Sequence, residues 1–281
     1  MSRHLTIAVS LLVFFFCSLA VALQSAVTRL KLKGSQNLAI TDTGAWKPIN
    51  KGIEFRTIAV ERSDPDQSIE LKLLRFDTQR IVPRVLRSAQ FQLKGASVRA
   101  FAEKSGALAA INANYFDVDG KPLAFLKAAG QTVNARVSAS SLYTGVFAIK
   151  EQRPFIAPRS EFSPDEVDEG LQSGPLLLSR GNVQPVTGVA NRASRRALIG
   201  IDAEQKLIIG VTDSLVGGLF WQEAQELFSA PQWKIQTVDL LNLDGGGSAQ
   251  LYAKAGSFEV SVPGTTDVPV AIGFFARSAS Q

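Results

Sequence analysis

The stretch Asn242-Leu243-Asp244-Gly245-Gly246-Gly247-Ser248-Ala249-Gln250-Leu251-Tyr252 follows an apolar run, residues 238–241, that has the pattern of a buried strand. Its one carboxylate, Asp244, stands at the end of that strand, before three glycines that tolerate positive φ and let a ligand approach the backbone. Successive N–H groups in such a turn form a concavity that binds anions. A carboxylate beside an anion cradle predicts chemistry on a charged substrate. The alternative interpretation is a glycine-rich turn between two strands.

The N-terminal segment has the features of a secretory signal. Arg3 and His4 provide a short basic start, and a mainly apolar run covers residues 5–23. Residues 20–22 read Ala-Val-Ala, the pattern that precedes signal cleavage. The segment predicts removal of residues 1–22 and a secreted or periplasmic protein with no membrane insertion. The run is also long enough to remain as an uncleaved anchor helix, which would tether the protein to the membrane.

The positions of His and Cys narrow the chemistry. The single His, His4, and the single Cys, Cys17, both lie within the predicted signal. After removal of the signal the chain would contain no His and no Cys. Ser-His-Asp and Cys-His triads, His-ligated zinc, thiolate metal sites and disulfides are therefore not expected. Acid–base or nucleophilic work falls to Asp, Glu, Lys, Tyr or Ser. No cofactor is predicted. Asp117 and Asp119, before Gly120, suit a turn, with a Ca²⁺ site as the alternative.

Charge and length set limits on partners and organisation. The formal net charge of the 281-residue chain is +5, and basic residues are dispersed except for Arg192, Arg195 and Arg196. A mild positive excess favours an anionic substrate or an envelope surface. No basic stripe is interleaved with aromatic residues, so nucleic-acid binding is not predicted. The length suits one large domain or two small ones, and nothing in the sequence specifies the oligomeric state.

Apolar periodicity predicts more strands than helices. The predicted strands cover residues 53–62, 69–76, 107–111, 145–149, 198–201, 207–212, 238–243, 249–253 and 269–275. Helices are predicted at 97–104 and 218–230, and a surface loop at 154–169. Because no regular βαβ alternation occurs, the pattern favours an α+β fold, a β-rich mixed single domain with an active-site cleft at strand ends. Residues 23–99 are interpreted as a strand-rich N-terminal portion packing on the main domain, residues 100–277.

Four segments place polar residues at the ends of apolar strands. They are residues 111–117 (Ile-Asn-Ala-Asn-Tyr-Phe-Asp), 172–178 (Gln-Ser-Gly-Pro-Leu-Leu-Leu), 195–202 (Arg-Arg-Ala-Leu-Ile-Gly-Ile-Asp) with 211–213 (Val-Thr-Asp), and 242–252. Their order and spacing resemble the phosphodiester glycosidase family, which includes the lysosomal uncovering enzyme and many exported bacterial proteins. The resemblance covers about residues 100–275, and the Ser-Gly-Pro and glycine motifs together make it specific.

Two of the four motifs depart from the family pattern. The family's first motif usually has two glycines after the Asn, where this chain has Ala113 and Asn114. The third motif usually reads Arg-Thr-Ala-Ile-Gly, and here Ala197 and Leu198 differ. These changes keep the expected polar contacts, but the lost glycines are expected to alter the shape of the pocket and hence the substrate. The glycine motif itself is matched through Ser248.

The resemblance implies hydrolysis of a sugar-1-phosphodiester at the anomeric carbon, in an envelope or extracellular glycan-phosphate. Such a reaction needs a carboxylate beside an oxocarbenium-like carbon and donors for the departing phosphate. Asp244 is assigned the first role, as nucleophile, base or electrostatic partner, and Arg196 the second. Asp213 is a candidate second catalytic carboxylate or, alternatively, a cap of the loop before the predicted helix.

A substrate-binding set accompanies these catalytic candidates. Asn112 and Asn242 are expected to orient sugar or phosphate oxygens, and backbone N–H groups of the glycine turn to bind the phosphate. The full set is Asn112, Tyr115, Ser173, Gly174, Asn242, Gly245, Gly246, Gly247 and Ser248. The structural alternatives are that Asp244 accepts turn N–H bonds, Asn112 caps a strand and Arg196 forms a surface salt bridge. Trp221 is expected to pack beside the helix, with stacking on a sugar as the alternative.

Two other functions compete with the glycosidase. A catalytically inactive glycan-binding protein, or one that serves exopolysaccharide or envelope assembly, would keep the same fold, and the altered first motif allows it. Retention of Asp244 and Arg196 favours the enzyme. A phosphate-binding NTPase is excluded, because no Gly-Lys-Ser/Thr sequence follows the glycines.

Overall fold

The computed structural model describes residues 30–31, 35, 37–63 and 66–277. The predicted signal, residues 1–22 with His4 and Cys17, lies outside these residues. The chain divides into two units, Met1–Leu30 and Lys31–Gln281, and every element below belongs to the second except Leu30 itself.

Strands dominate the described part of the chain. In chain order they are β1 (Leu30–Lys31), β2 (Leu38–Asp42), β3 (Lys47–Asn50), β4 (Ile53–Ser63), β5 (Asp66–Phe76), β6 (Ile81–Arg87), β7 (Ala109–Asn112), β8 (Leu126–Ala128), β9 (Gln131–Asn134), β10 (Gly145–Lys150), β11 (Arg153–Pro158), β12 (Glu169–Ser173), β13 (Leu176–Ser179), β14 (Asn182–Val183), β15 (Ala197–Asp202), β16 (Leu207–Asp213), β17 (Thr237–Asn242), β18 (Leu251–Ala255), β19 (Phe258–Val262) and β20 (Val270–Ala276). The α-helices are α1 (Val98–Ser105) and α2 (Trp221–Ser229), and short 3-10 turns include Gly246–Ser248. This composition confirms the predicted β-rich α+β class.

The strands form three antiparallel sheets. From β2 onward the largest sheet runs β2-β4-β5-β16-β15-β17-β13-β14, with β3 paired to β4. The second sheet runs β11-β10-β12-β8-β9, and the third β19-β18-β7-β20-β6. Because β5 pairs along its length with β16, the N-terminal strands share a sheet with the C-terminal half. The domain boundary expected at residue 99 falls inside α1.

The strands β15 and β16 contain long apolar runs because both of their faces are covered. In β15, Ile199 belongs to the main core between the sheets, whereas Leu198 belongs to a second cluster with Leu227 and Phe228 of α2. Successive side chains of a strand point to opposite faces, so a strand covered on both sides needs a continuous apolar run. The rings of Phe76 and Phe274 stack 4.2 Å apart and join the first sheet to the third.

The two helices begin and end at identifiable signals. Ser97 caps α1, since its Oγ accepts the N–H of Ala100 at 3.2 Å, and Gly106 ends the helix with φ 75°. The predicted helix over residues 218–230 begins only at Trp221. The chain before it cannot be helical, because Gly218 has φ 141° and a Cβ there would lie 2.0 Å from the carbonyl oxygen of Ser194.

The predicted surface loop over residues 154–169 is confirmed for residues 159–168, which form 3-10 turns and irregular chain, and is wrong at both ends. Residues Arg153–Pro158 form β11, and β12 begins at Glu169. The prolines that suggested a loop are tolerated because β11 lies at the edge of its sheet, where a missing N–H breaks no ladder on the open side. Apolar periodicity also failed to predict β1, β2, β3, β6, β8, β9, β12, β13, β14 and β19.

Antiparallel pairing brings the four motif segments to one end of the sheets. The strands β7, β12 and β17 end at Asn112, Ser173 and Asn242. The start of β15 lies beside the end of β17, since Leu198 pairs with Asn242. Neither helix within the described residues is long and apolar enough to cross a membrane.

Candidate active site

The glycine turn after β17 is held by backbone hydrogen bonds to two other motif segments. The N–H of Leu243 donates to the carbonyl of Ala197 at 2.8 Å, and the N–H of Asp244 donates to that of Ala113 at 2.9 Å. The N–H of Gly246 donates to the carbonyl of Arg195, also at 2.9 Å. The segments around residues 113, 195 and 244 therefore meet at one point, although they are far apart in the sequence.

Close packing explains why this turn contains glycines. A Cβ on Gly245 would lie 2.7 Å from the carbonyl oxygen of Arg195, and one on Gly247 would lie 2.6 Å from the hydroxyl of Thr265. Gly246 adopts φ 58°, which disfavours side chains. A side chain at position 245 would therefore clash with the backbone at Arg195, whereas one at position 246 would have space but a strained backbone.

Asn112 clamps both arms of the turn. Its Nδ2 donates to the backbone carbonyl of Asp244 at 2.6 Å, and its Oδ1 accepts the N–H of Gln250 at 3.0 Å. The side chain is fully buried. These bonds match the strand-end interpretation of Asn112, in which it positions the turn that carries Asp244.

Asp244 is a half-buried carboxylate with few compensating partners. The hydroxyl of Ser248 and the N–H of Gly245 donate to it, and both bonds favour the ionised form. Burial outweighs them and raises the pKa of Asp244 to about 6. The group is therefore mostly ionised at neutral pH, yet far more basic than an ordinary aspartate. Such a pKa is typical of carboxylates that act in catalysis.

The expected anion cradle is largely occupied by the protein itself. The N–H of Gly245 binds the carboxylate of Asp244, and the N–H of Gly246 binds the carbonyl of Arg195. The turn uses these two N–H groups to hold its own shape, and phosphate binding by the glycine N–H groups stays a prediction. The N–H of Gly247 donates neither to the Asp244 carboxylate nor to the Arg195 carbonyl.

Asn242, Tyr115 and Gly174 form a buried network next to Asp244. The Nδ2 of Asn242 donates to the hydroxyl of Tyr115 at 3.0 Å and to the carbonyl of Gly174 at 2.9 Å. The Tyr115 hydroxyl in turn donates to the same carbonyl at 3.0 Å. Burial raises the pKa of Tyr115, the charge of Asp244 raises it further, and Arg196 acts in the opposite direction. Tyr115 therefore stays protonated at neutral pH under the opposing charges of Asp244 and Arg196.

The second motif contributes close backbone approach and unused polar atoms. A Cβ on Gly174 would lie 2.1 Å from the carbonyl oxygen of Leu142, so only glycine fits there. The hydroxyl of Ser173 is buried without a hydrogen-bond partner, and so are the side-chain oxygens of Asn242 and Asn114. Native proteins leave few such atoms unpaired. All three belong to motif segments that meet around Asp244.

Arg196 is buried and held in one orientation. Its Nε donates to the carbonyl of Leu219 at 2.9 Å, and a terminal nitrogen donates to that of Arg192 at 2.7 Å. Its guanidinium lies 3.3 Å from the ring centroid of Trp221. Burial lowers the pKa of Arg196 to about 10, which still leaves it charged at neutral pH. The surface salt-bridge interpretation is wrong, because the side chain contacts carbonyls and an aromatic face.

Trp221 packs as the sequence predicted. Its side chain is 4% exposed, and its Nε1 donates to the carbonyl of Ala190 at 3.3 Å. Because one face of the ring is covered by Arg196, Trp221 supports the arginine rather than stacking on a sugar.

Asp213 lies at the end of β16, opposite Glu70 of β5. It takes part neither in the hydrogen bonds that join Asn242, Tyr115 and Gly174 nor in those of Asp244. Its neighbour Thr212 does contribute to the site, since the Thr212 hydroxyl accepts the N–H of Arg196 at 2.7 Å.

Asp117 and Asp119 lie in a tight turn. The carboxylate of Asp117 accepts the N–H groups of Asp119 and Lys121 at 2.9 and 2.8 Å. Asp119 forms an exposed ion pair with Lys121. No group of three or more His, Cys, Asp or Glu side chains suited to a metal occurs among the described residues.

Two further residues contact the site, although no role was predicted for them from the sequence. The ring centroid of Tyr143 lies 5.4 Å from that of Tyr115, and burial together with the charge of Asp244 raises the Tyr143 pKa. Arg195 donates to the carbonyls of Ala249 and Pro263 and so braces the chain after the glycine turn. Tyr143 lies in a segment without periodicity, and Arg195 was indistinguishable from a surface arginine.

Known proteins resemble this chain in sequence pattern and in fold. Residues 105–275 match the family model described as phosphodiester glycosidase. The zebrafish N-acetylglucosamine-1-phosphodiester alpha-N-acetylglucosaminidase catalytic domain, auto-inhibited by its pro-peptide, is similar with a TM-score of 0.63 and 15% identity, over 86% of this chain and 89% of that one. A hypothetical protein from Synechocystis is similar with a TM-score of 0.59 and 17% identity, over 85% and 65%. At these identities the likeness shows a shared fold. A search of curated protein sequences finds no match.

Proposed function

Since the chain belongs to the phosphodiester glycosidase family, we propose that it hydrolyses the bond between the anomeric carbon of a sugar and a phosphodiester oxygen. The observation that carries the proposal is the convergence at Asp244. A carboxylate with a pKa of about 6 lies beside unpaired buried polar atoms, and the charges of Asp244 and Arg196 both act on Tyr115.

The reaction places opposite demands on the two charged groups. As the bond between C1 and the phosphate oxygen breaks, its electron pair leaves with the phosphate and positive charge develops on the sugar. The ionised carboxylate of Asp244 stabilises that charge, as nucleophile, base or electrostatic partner. Water supplies the oxygen that bonds to C1, and its proton is released. The products are the free sugar and a phosphate monoester. The monoester is a stable anion and therefore leaves with little protonation.

Arg196 is proposed to stabilise the departing phosphate. It is charged, buried and fixed by two backbone carbonyls and by the Trp221 ring, so little reorganisation accompanies the reaction. The N–H of Gly247 and the hydroxyl of Ser173 are proposed to add hydrogen bonds to sugar or phosphate oxygens. Asn112 and Asn242 act by positioning the turn and Tyr115. Asp213 stays a prediction as a second carboxylate.

The substrate and the location extend this proposal. The signal-like residues 1–22 support export, and the resemblance to exported proteins supports an envelope or extracellular glycan-phosphate as substrate. An uncleaved anchor would leave the enzyme on the same side of the membrane. Mass spectrometry of protein from the native host distinguishes these cases: a start near Leu23 supports cleavage, and an intact Met1 in the membrane fraction supports the anchor.

The proposed activity is tested by turnover of sugar-1-phosphodiesters by the purified protein, followed by ³¹P NMR as diester converts to monoester. The Asp244→Asn variant keeps the size of the side chain but removes its charge. We expect kcat to fall roughly 10²-fold or more, the scale lost when one preorganised electrostatic group is removed. Tight binding of the same compounds without turnover by the wild type would instead support the inactive glycan-binding alternative.

A further inference from the structure

A large cavity borders the loop that is hydrogen-bonded to the glycine turn. Its volume is about 860 Å³, within the range of pockets that bind small molecules. Thr266 lines it, and the N–H of Thr266 donates to the carbonyl of Gly247 at 3.2 Å. Phe116, which follows Tyr115, lines it as well. The cavity is therefore joined to the candidate active site through two of its own segments.

The charges of the cavity favour an anion. Its charged residues are Arg87, Lys94, Lys121, Asp119 and Asp267. Lys121 and Asp119 pair with each other at 3.5 Å. Arg87 and Lys94 form no ion pair within the described part of the chain. Once the Asp119–Lys121 pair is set aside, the cavity has two cations, Arg87 and Lys94, and one carboxylate, Asp267. An anionic group is thus preferred over a cation here.

The uncharged lining suits a sugar. Phe116, Leu93 and Val133 provide carbon surface, and Thr266 provides a hydroxyl. The apolar faces of sugar rings pack on such carbon surfaces, while sugar hydroxyls bond to polar groups at the edges. A site with an aromatic side chain, the hydroxyl of Thr266 and two unpaired cations fits a sugar that carries a phosphate.

We propose that this cavity, the distal subsite, binds the next phosphate-bearing sugar of the same substrate molecule. The inference rests on the proposed function, and it specifies the substrate class: an oligomer of phosphate-linked sugars in place of a single sugar-1-phosphodiester. Arg196 holds the phosphate that is cleaved, and Arg87 with Lys94 holds the following one. The glycine turn and Thr266 separate the two positions.

The test compares two substrates and two matched variants. The short substrate is N-acetylglucosamine-1-phosphate methyl ester. The long one replaces methyl with a hexose that carries a phosphate monoester. The variant Arg87→Gln/Lys94→Gln removes two cations from the distal subsite, and Lys150→Gln/Arg153→Gln removes two exposed cations that do not line it. Thermal unfolding of each variant confirms that it is folded.

We expect the wild type to prefer the long substrate through a lower KM. The Arg87→Gln/Lys94→Gln variant should lose about tenfold in kcat/KM for the long substrate, the scale of two partly screened charges, and keep its rate on the short one. The control variant should retain both rates. Equal wild-type kcat/KM for the two substrates, or equal losses on both in the variant, would overturn the distal subsite.

A binding measurement separates this proposal from the proposed function. Calorimetry with the long compound compares Asp244→Asn with the triple variant that also carries Arg87→Gln and Lys94→Gln. A Kd about tenfold weaker in the triple variant supports the distal subsite even if the wild type hydrolyses nothing. Equal Kd values reject the subsite, whether or not turnover is seen.

Discussion

The side-chain amide of Asn112 donates to the backbone carbonyl of Asp244 at 2.6 Å, although 132 positions separate the two residues in the chain. Asn112 ends a strand of the third sheet, and Asp244 follows a strand of the first. The candidate active site thus lies where two sheets are joined by one buried side chain.

Asn112→Ala tests this clamp. The change leaves the buried N–H of Gln250 without its side-chain acceptor, and we expect a loss of about 1–3 kcal/mol in the free energy of unfolding. Because the turn that carries Asp244 loosens, kcat should fall while KM changes little. Urea denaturation and steady-state kinetics measure the two effects. The exposed Asn182→Ala is the control, and equal behaviour of the two variants would reject the clamp.

The dependence of rate on pH tests the protonation state of Asp244. Burial raises its pKa to about 6, and the proposed reaction needs the ionised form. We expect kcat/KM to fall below an apparent pKa near 6 as the carboxyl becomes protonated. The phosphodiester itself stays ionised throughout this range. A fall in kcat/KM centred near pH 4, or a kcat/KM that does not change between pH 4 and 7, would show that another group controls the reaction.

Stability should depend on pH through the same residue. Folding raises the Asp244 pKa from 3.8 to about 6. Asp244 therefore binds its proton more tightly in the folded protein than in the unfolded chain. The stabilising contribution is complete below pH 3.8 and is lost as the pH rises through 6. Relative to wild type, Asp244→Asn should gain about 3 kcal/mol between pH 3.5 and 7.5. A pH-independent difference in urea denaturation between the two proteins would contradict the raised pKa.

Arg196→Lys tests the fixed guanidinium. Lysine keeps the charge but loses the planar group that bonds two carbonyls and covers Trp221. We expect a fall in kcat and a rise in KM that together lower kcat/KM by roughly 10- to 100-fold. The exposed neighbour provides the control, since Arg192→Lys should change neither constant by more than about twofold. Normal kinetics in Arg196→Lys would remove Arg196 from the phosphate site.

The strongest apolar patterns predicted much of the fold. Residues 198–201 and 207–212 lie in central strands whose faces are both buried, which gives a clear apolar run, and most of 238–243 forms the neighbouring strand β17. Edge strands were harder to predict. The exposed face and the prolines of β11 resemble a loop, and only its pairing with β10 reveals the strand.

The residues of the candidate site could be predicted where a local sequence motif indicates their chemistry. They could not be predicted where contacts between distant segments decide their role. Asp244 before three glycines was visible in the sequence. The bonds that commit the N–H groups of Gly245 and Gly246 to the protein depend on strands far along the chain. Likewise, nothing local indicates that Tyr143 stands beside Tyr115.

The central claim is cleavage between the sugar carbon and oxygen, and hydrolysis in H₂¹⁸O tests it most directly. ³¹P NMR of the released phosphate monoester resolves the isotope shift of ¹⁸O bonded to phosphorus. If water bonds to C1 and the phosphate leaves with its original oxygen, the monoester formed by the wild type carries no ¹⁸O. Incorporation of ¹⁸O into the monoester would show attack at phosphorus and would contradict the glycosidase mechanism built on Asp244 and Arg196.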